Sequence, residues 1–327
     1  MSALERFSNL KIFIKHVQNV QTLRKMLSQK GDHFSLFGGT ACGTHAEVRA
    51  LMEREPEKVD IFCGPLADRA DYLTKNYVPF LQMDANHAAR REHILMQSTE
   101  AQRHLGDLET LLKETNPTSA ILKFMFRHLV GLELSEVEVE MILFFRKWGA
   151  PLTLLPKWMR TGLLGSKHRE LTRIRSHFLD RFAATGIPFS ESYFDVLWFN
   201  SATLPHYAES AVKYLKQHPD VKDLIESEAD LEPRYRVRTR ALVMEMVRLE
   251  CKIASVNYRD DDAIKIALIV TAVVDPQRYE NPLEVKLDRD YSDSVSFAGP
   301  SPHRSCPGMD LSLDIMSCVV ANSLRQR

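Results

Sequence analysis

Residues 297–308 read Phe297-Ala298-Gly299-Pro300-Ser301-Pro302-His303-Arg304-Ser305-Cys306-Pro307-Gly308, and a helical apolar stretch to about Leu324 follows at once. Cys306 therefore stands in a Pro/Gly-rich loop at the start of a helix. A helix N-terminus favours negative charge, so a thiolate is preferred there over a thiol. A rigid loop holding a thiolate at a helix start suits an axial ligand to a haem iron. A free cysteine buried in an ordinary loop would leave the same local pattern.

Working outward, Glu245 and Arg248 lie i, i+3 on a helix predicted over about 236–250, where they share a face and can pair. A solvated surface pair has the same spacing. The helix predicted over 189–217 contains Asn200-Ser201-Ala202-Thr203-Leu204-Pro205. Proline has no N–H for the carbonyl four residues back, so a kink and a free Ser201 carbonyl are expected, with Thr203 in the distorted turn. Such a notch suits a ligand or an ordered water, or is a plain proline kink. His87 and Arg91, at i, i+4, could grip a carboxylate or phosphate, or form a solvated basic face. Arg234, Arg236, Arg238 and Arg240 read as a solvated basic run, with docking of an acidic partner as the alternative. Gly38-Gly39-Thr40-Ala41-Cys42-Gly43 matches no phosphate-binding loop and reads as a turn between strands. The 12 histidines show no metal-ligand spacing such as HExxH, so no zinc site is expected.

The totals bound the class. The 327 residues are 44% hydrophobic and 26% charged, ordinary for a globular enzyme. Lys+Arg and Asp+Glu are both 43, which argues against a nucleic-acid-binding protein. Cys42, Cys63, Cys251, Cys306 and Cys318 are odd in number and include no CxxC pair, as expected of reduced thiols in the cytoplasm. No apolar run approaches a membrane span, and neither a secretory signal nor a membrane anchor is expected. No linker or repeat divides the chain, so 1–327 is read as a single domain.

Periodicity predicts an amphipathic helix over 1–29 and short strands at His33–Phe37 and Val59–Cys63. Helices fill about 86–217, including a short one before them at Leu66–Lys75, with breaks near Asn116-Pro117, Gly149-Ala150-Pro151 and Gly186-Ile187-Pro188. A β-branched, alternating stretch at Ala263–Val274 predicts a strand, and a last helix covers Gly308–Leu324.

Taken in order, the chain presents HxxxR, a Thr-bearing kinked helix, ExxR, a strand ending in Asp275-Pro276, and Arg304-x-Cys306-x-Gly308 opening a final helix. That order resembles the cytochrome P450 family over most of the chain. The resemblance implies a shortened cytochrome P450 fold, mainly α with a small β part, that binds haem b (iron protoporphyrin IX). It implies that Cys306 is the thiolate ligand of the iron. It places His87 and Arg91 on one haem propionate and Arg259 on the other, with His303 and Arg304 as further cofactor-binding residues beside the cysteine. Glu245, Arg248 and Arg289 match a buried Glu-Arg-Arg network, and Thr203 matches the oxygen-activating threonine. Buried propionates are anionic and need several Arg or His donors; a thiolate ligand favours O–O cleavage.

The departures carry information too. Phe297 precedes Cys306 by nine positions where the family has seven, and Pro302 replaces a glycine. Ala202 stands where the family has an acid beside the threonine. Asn200 resembles the asparagine of the hydroperoxide-rearranging branch. Thr-Leu-Pro resembles the Thr-x-Pro of the sterol 7-hydroxylase and prostacyclin synthase branch. The short chain leaves only a small covering loop before His87, hence an open pocket for a large or carrier-bound substrate.

The resemblance implies a monooxygenase that hydroxylates or oxidatively couples an apolar or amphipathic small molecule, in the manner of secondary metabolism. Its electrons would come from a ferredoxin- or flavodoxin-type donor. Ala202 and Asn200 keep open a peroxygenase, or an isomerase, lyase or dehydratase that uses no dioxygen. The altered cysteine loop keeps open a non-catalytic haem-binding protein.

Overall fold

A computed structural model describes residues 20–31, 33–36, 39–54, 57–58, 86–153, 159–251, 256–260, 263–297 and 305–326. These are mainly helical with one small sheet. The chain gathers into two compact units, Met1–Gly64 with Met244–Cys306 and Pro65–Val243 with Pro307–Arg327.

The first unit holds α1 (Val20–Ser28), β1 (His33–Leu36), β2 (Gly39–Cys42), α2 (His45–Glu53), β3 (Glu57–Lys58), β4 (Val256–Asp260), β5 (Ala263–Ala267) and α11 (Ile269–Ala272). The sheet order is β1-β2-β5-β4-β3. Among the described strands β2 and β5 pair in parallel and the other neighbours are antiparallel. Gly39 is needed where β2 meets β5, because a Cβ there would lie 2.7 Å from the Ile264 carbonyl oxygen. Leu23, Leu27, Leu36 and Ala41 pack with Ile266 and Val270 in one apolar cluster. The buried Arg24 ties α1 to this core through the carbonyls of Arg248, Leu249 and Val270 at 2.7–2.8 Å. Burial lowers its pKa to about 10.

The strand predicted over Ala263–Val274 stops at Ala267. The Leu268 N–H makes a last bond to the Cys42 carbonyl at 2.9 Å. The chain then turns helical, with the Thr271 hydroxyl donating to the Gly43 carbonyl at 3.0 Å. Ile269 and Val270 are apolar because they are buried, not because they alternate. Predicted elements at 1–19, Val59–Cys63 and Leu66–Lys75 lie outside the described residues.

The second unit holds α3 (His87–Gln102), α4 (Leu105–Glu114), α5 (Pro117–Val130), α6 (Glu136–Thr153), a π-turn at Met159–Leu163, α7 (Gly165–Thr185), α8 (Ser190–Gln217), α9 (Pro219–Glu226), a 3-10 turn at Pro233–Tyr235 and α12 (Met309–Arg325). The unit boundary falls within α10 (Val237–Leu249). Phe126, Phe178, Phe182, Phe194, Phe145 and Trp198 form a chain of tilted and edge-on ring pairs at 5.0–6.2 Å, an aromatic core from α5, α6, α7 and α8.

Asn116 caps α5, its Oδ1 accepting from the Ser119 N–H at 3.0 Å, and Pro117 follows at the first helical position. Gly186, at φ 71°, ends α7. The break expected at Gly149-Ala150-Pro151 is absent: α6 runs through it to Thr153. A proline this near a helix end removes one hydrogen bond from a turn that is already finishing.

Candidate functional site

Glu245 and Arg248 are both fully buried on α10 and form a two-point ion pair at 2.7 and 2.8 Å. Arg289 Nε reaches Glu245 Oε2 at 3.3 Å, the Lys286 N–H donates to the same oxygen at 3.0 Å, and the Tyr291 hydroxyl donates to Oε1. The two guanidiniums spend their other N–H groups on carbonyls of the 280–284 segment: Arg248 on Pro282 and Glu284, Arg289 on Glu280, Asn281 and Glu284. Burial pushes the Glu245 pKa up, but bonds from Arg248 and Tyr291 outweigh it and hold the carboxyl below its usual range. The pair is therefore no solvated surface contact. It clamps the segment that follows Asp275, whose Oδ2 accepts from the His45 N–H at the start of α2 at 2.7 Å.

At the ends of the loop read for Cys306, the Cys306 N–H donates to the Phe297 carbonyl at 2.9 Å. Cys306 itself is half-buried, unbridged, and ends three residues before α12 begins. The other described cysteines, Cys42, Cys251 and Cys318, are buried. Burial raises the Cys42 and Cys318 pKa values to about 11 and about 12, so both stay thiols at neutral pH. Among the described cysteines Cys306 is the one that is not buried. His303 and Arg304 lie outside the described residues. Arg259 is on β4, opposite Glu57 and Ile264 in the ladder.

On α3, His87 is buried and Arg91 is half-buried. Arg90, three residues after His87, is buried beside it, a position the HxxxR spacing alone does not single out. On α8, Thr203 is buried and its hydroxyl donates to Asn200 Oδ1 at 3.5 Å, so these two side chains are brought together. Pro205 lies within α8. The Ser201 carbonyl is not left open, as the proline predicts: Arg146 Nη1 of α6 donates to it at 2.9 Å. A long side chain from a helix distant in sequence supplies the missing donor, and nothing local in α8 reveals it.

The basic run is also corrected. Arg236 is 1% exposed and pairs with Glu109 at 2.7 Å. Arg240 bonds Asp314 and Asp310 of α12. Only Arg234 and Arg238 face solvent. Alternation along a helix start hid an i, i+4 pair that faces inward.

No protein-family model matches the chain, and no curated protein matches it. Solved structures do. CalO2 matches at 17% identity and TM-score 0.64, over 94% of this chain and 88% of its own. P450BioI, solved with an acyl carrier protein ligated to hexadec-9Z-enoic acid, matches at 15% identity and TM-score 0.65, over 95% and 92%. A mutant of P450 EryK, solved with erythromycin B, matches at 14% identity and TM-score 0.68, over 95% and 90%. The fold is that of the cytochromes P450. The half-buried, unbridged Cys306 thiol is a donor of the type a haem iron takes. No helix among the described residues is long and apolar enough to cross a membrane.

Proposed function

We propose that residues 1–327 act as one haem-binding domain, a haem-thiolate enzyme of P450 type that hydroxylates or oxidatively couples an apolar or amphipathic small molecule. The observation that carries this is Cys306: a half-buried, unbridged thiol three residues before the last described helix, while Cys42, Cys251 and Cys318 are buried. Cys306 would be the ligand of the iron. His87, Arg91, Arg259, His303 and Arg304 would bind the propionates, with the buried Arg90 in support. Bound there, a haem b would supply the oxidising chemistry. Glu245, Arg248 and Arg289 hold the segment that precedes the cysteine loop. Thr203 would offer its hydroxyl as a proton relay at Oγ1, with Asn200 as its hydrogen-bond partner. Electrons would come from a ferredoxin- or flavodoxin-type protein in the cytoplasm. P450BioI takes an acyl carrier protein and P450 EryK takes erythromycin B; both support a large or carrier-bound substrate here.

The deciding experiment is the visible spectrum of the dithionite-reduced protein with carbon monoxide, beside Cys306→Ala. A red-shifted Soret band that vanishes in the variant is expected. A protein without haem, or a band indifferent to Cys306, refutes the proposal.

One observation favours a second reading. Thr203 is paired with Asn200 and flanked by Ala202, with no acid beside it on α8. That arrangement suits a hydroperoxide-driven peroxygenase, or an isomerase, lyase or dehydratase acting on an already oxidised substrate. Turnover that strictly needs NAD(P)H, a reductase and dioxygen excludes it.

A further inference from the structure

Side chains from three helices of the second unit meet at a place that takes no part in the chemistry above. His104 is the N-cap of α4, Asp107 lies in the first turn of that helix, and His128 lies in the last turn of α5. One ligand atom from each falls within 4.8 Å of the other two. Asp107 Oδ2 is 3.0 Å from His128 Nε2. The His104 and His128 rings stack, with centroids 4.8 Å apart and planes 11° from parallel. Glu100, in the last turn of α3, brings a further carboxylate oxygen to 3.5 Å from His104 Nε2.

We propose that His104, Asp107 and His128, with Glu100 as a fourth ligand, bind one divalent transition-metal ion of the Zn2+ class and tie the start of α4 to the ends of α3 and α5. Two imidazoles and two carboxylates match the borderline donors such an ion takes; magnesium and calcium prefer oxygen alone. Ligands around a tetrahedral Zn2+ lie about 3.3 Å apart, so the 4.8 Å span has to close. Parallel stacked rings point their lone pairs side by side, so one ring must also turn. His104 is the ring able to do so: its side chain is 46% exposed and sits outside the helix, whereas that of His128 is 12% exposed and fixed by packing against Phe124. The sequence hides this site because His104 and Asp107 are 24 and 21 residues from His128; no local motif joins them.

The test is titration of the purified full-length protein with ZnCl2 in competition with a chromophoric chelator. The wild type is compared with His104→Gln, His128→Gln and Asp107→Asn. One equivalent is expected in the wild type, lost in both histidine variants and weakened at least about tenfold in Asp107→Asn. Added Zn2+ should raise the melting temperature of the wild type and leave that of His104→Gln unchanged. His104 is half exposed, so metal-free His104→Gln should melt as the wild type does, which separates lost binding from lost folding. X-ray absorption of the one-equivalent sample should show nitrogen and oxygen ligands only. Absence of binding, equal binding in His104→Gln/His128→Gln, or a sulfur ligand overturns the proposal.

Discussion

Arg146 Nη1 donates to the Ser201 carbonyl at 2.9 Å, filling the gap that Pro205 leaves in the hydrogen bonding of α8. A feature that reads as a notch is thereby a crosslink between α6 and α8. Removing the donor strands a fully buried backbone carbonyl, at a cost of about 1–3 kcal/mol. Arg146→Met is therefore expected to lower the unfolding free energy, measured by urea titration, by that amount. In a Pro205→Ala background the restored N–H serves the same carbonyl, so Arg146→Met should cost clearly less. Equal losses in the two backgrounds, measured as a double-mutant cycle, would show that Arg146 stabilises the protein by packing alone.

Arg248 offers a second case of one side chain holding several backbone groups. It pairs with both oxygens of Glu245 and reaches the carbonyls of Val273, Pro282 and Glu284. Lysine keeps the charge but not the planar fork that makes these bonds together. Arg248→Lys should lose about 3–5 kcal/mol, because Glu245 remains buried and incompletely paired. The readout is denaturant unfolding and soluble yield; a variant within about 1 kcal/mol of the wild type would contradict the buried-network reading.

Glu138 is held ionised well below the usual carboxylate range. Burial raises its pKa, but Arg181, the Ser135 N–H and hydroxyl and His177 bond the carboxylate and bring it down to about 2 from the ordinary 4.5. A folded pKa below the unfolded one means stability that is fully present above about pH 4.5 and is lost as the pH falls towards 2. Glu138→Gln should cost about 2–3 kcal/mol at pH 7 and have a flatter stability profile between about pH 5 and 2. Parallel wild-type and variant profiles across that window would remove Glu138 from the account.

Gly39 is expected to tolerate no side chain. Alanine would bring Cβ to 2.7 Å from the Ile264 backbone oxygen, which cannot move without parting β2 from β5. Gly39→Ala should destabilise by about 1–3 kcal/mol, whereas Gly106→Ala, whose Cβ meets nothing within 4 Å, should not. Indistinguishable melting of the two variants would mean that the strands are not held at this spacing.

Local chemistry along the chain was enough for the elements whose ends carry their own punctuation. The helices Ser190–Gln217, Val237–Leu249 and Met309–Arg325 lie within about a residue of their predicted spans because Gly186 and Pro188, His218-Pro219 and Pro307-Gly308 punctuate the backbone whatever surrounds it. It also carried the pairing of Glu245 with Arg248, since three residues on a helix bring side chains to one face. Whether that pair is solvated or buried was decided only by Arg289, Tyr291 and the 280–284 carbonyls closing around it. The same holds for Arg236, buried by Glu109, for the Ser201 carbonyl, served by Arg146, and for His104 and His128, stacked from two helices. Local propensity is a property of neighbours along the chain. The fate of a charge or of a freed carbonyl is set by which distant group reaches it, and only tertiary packing fixes that.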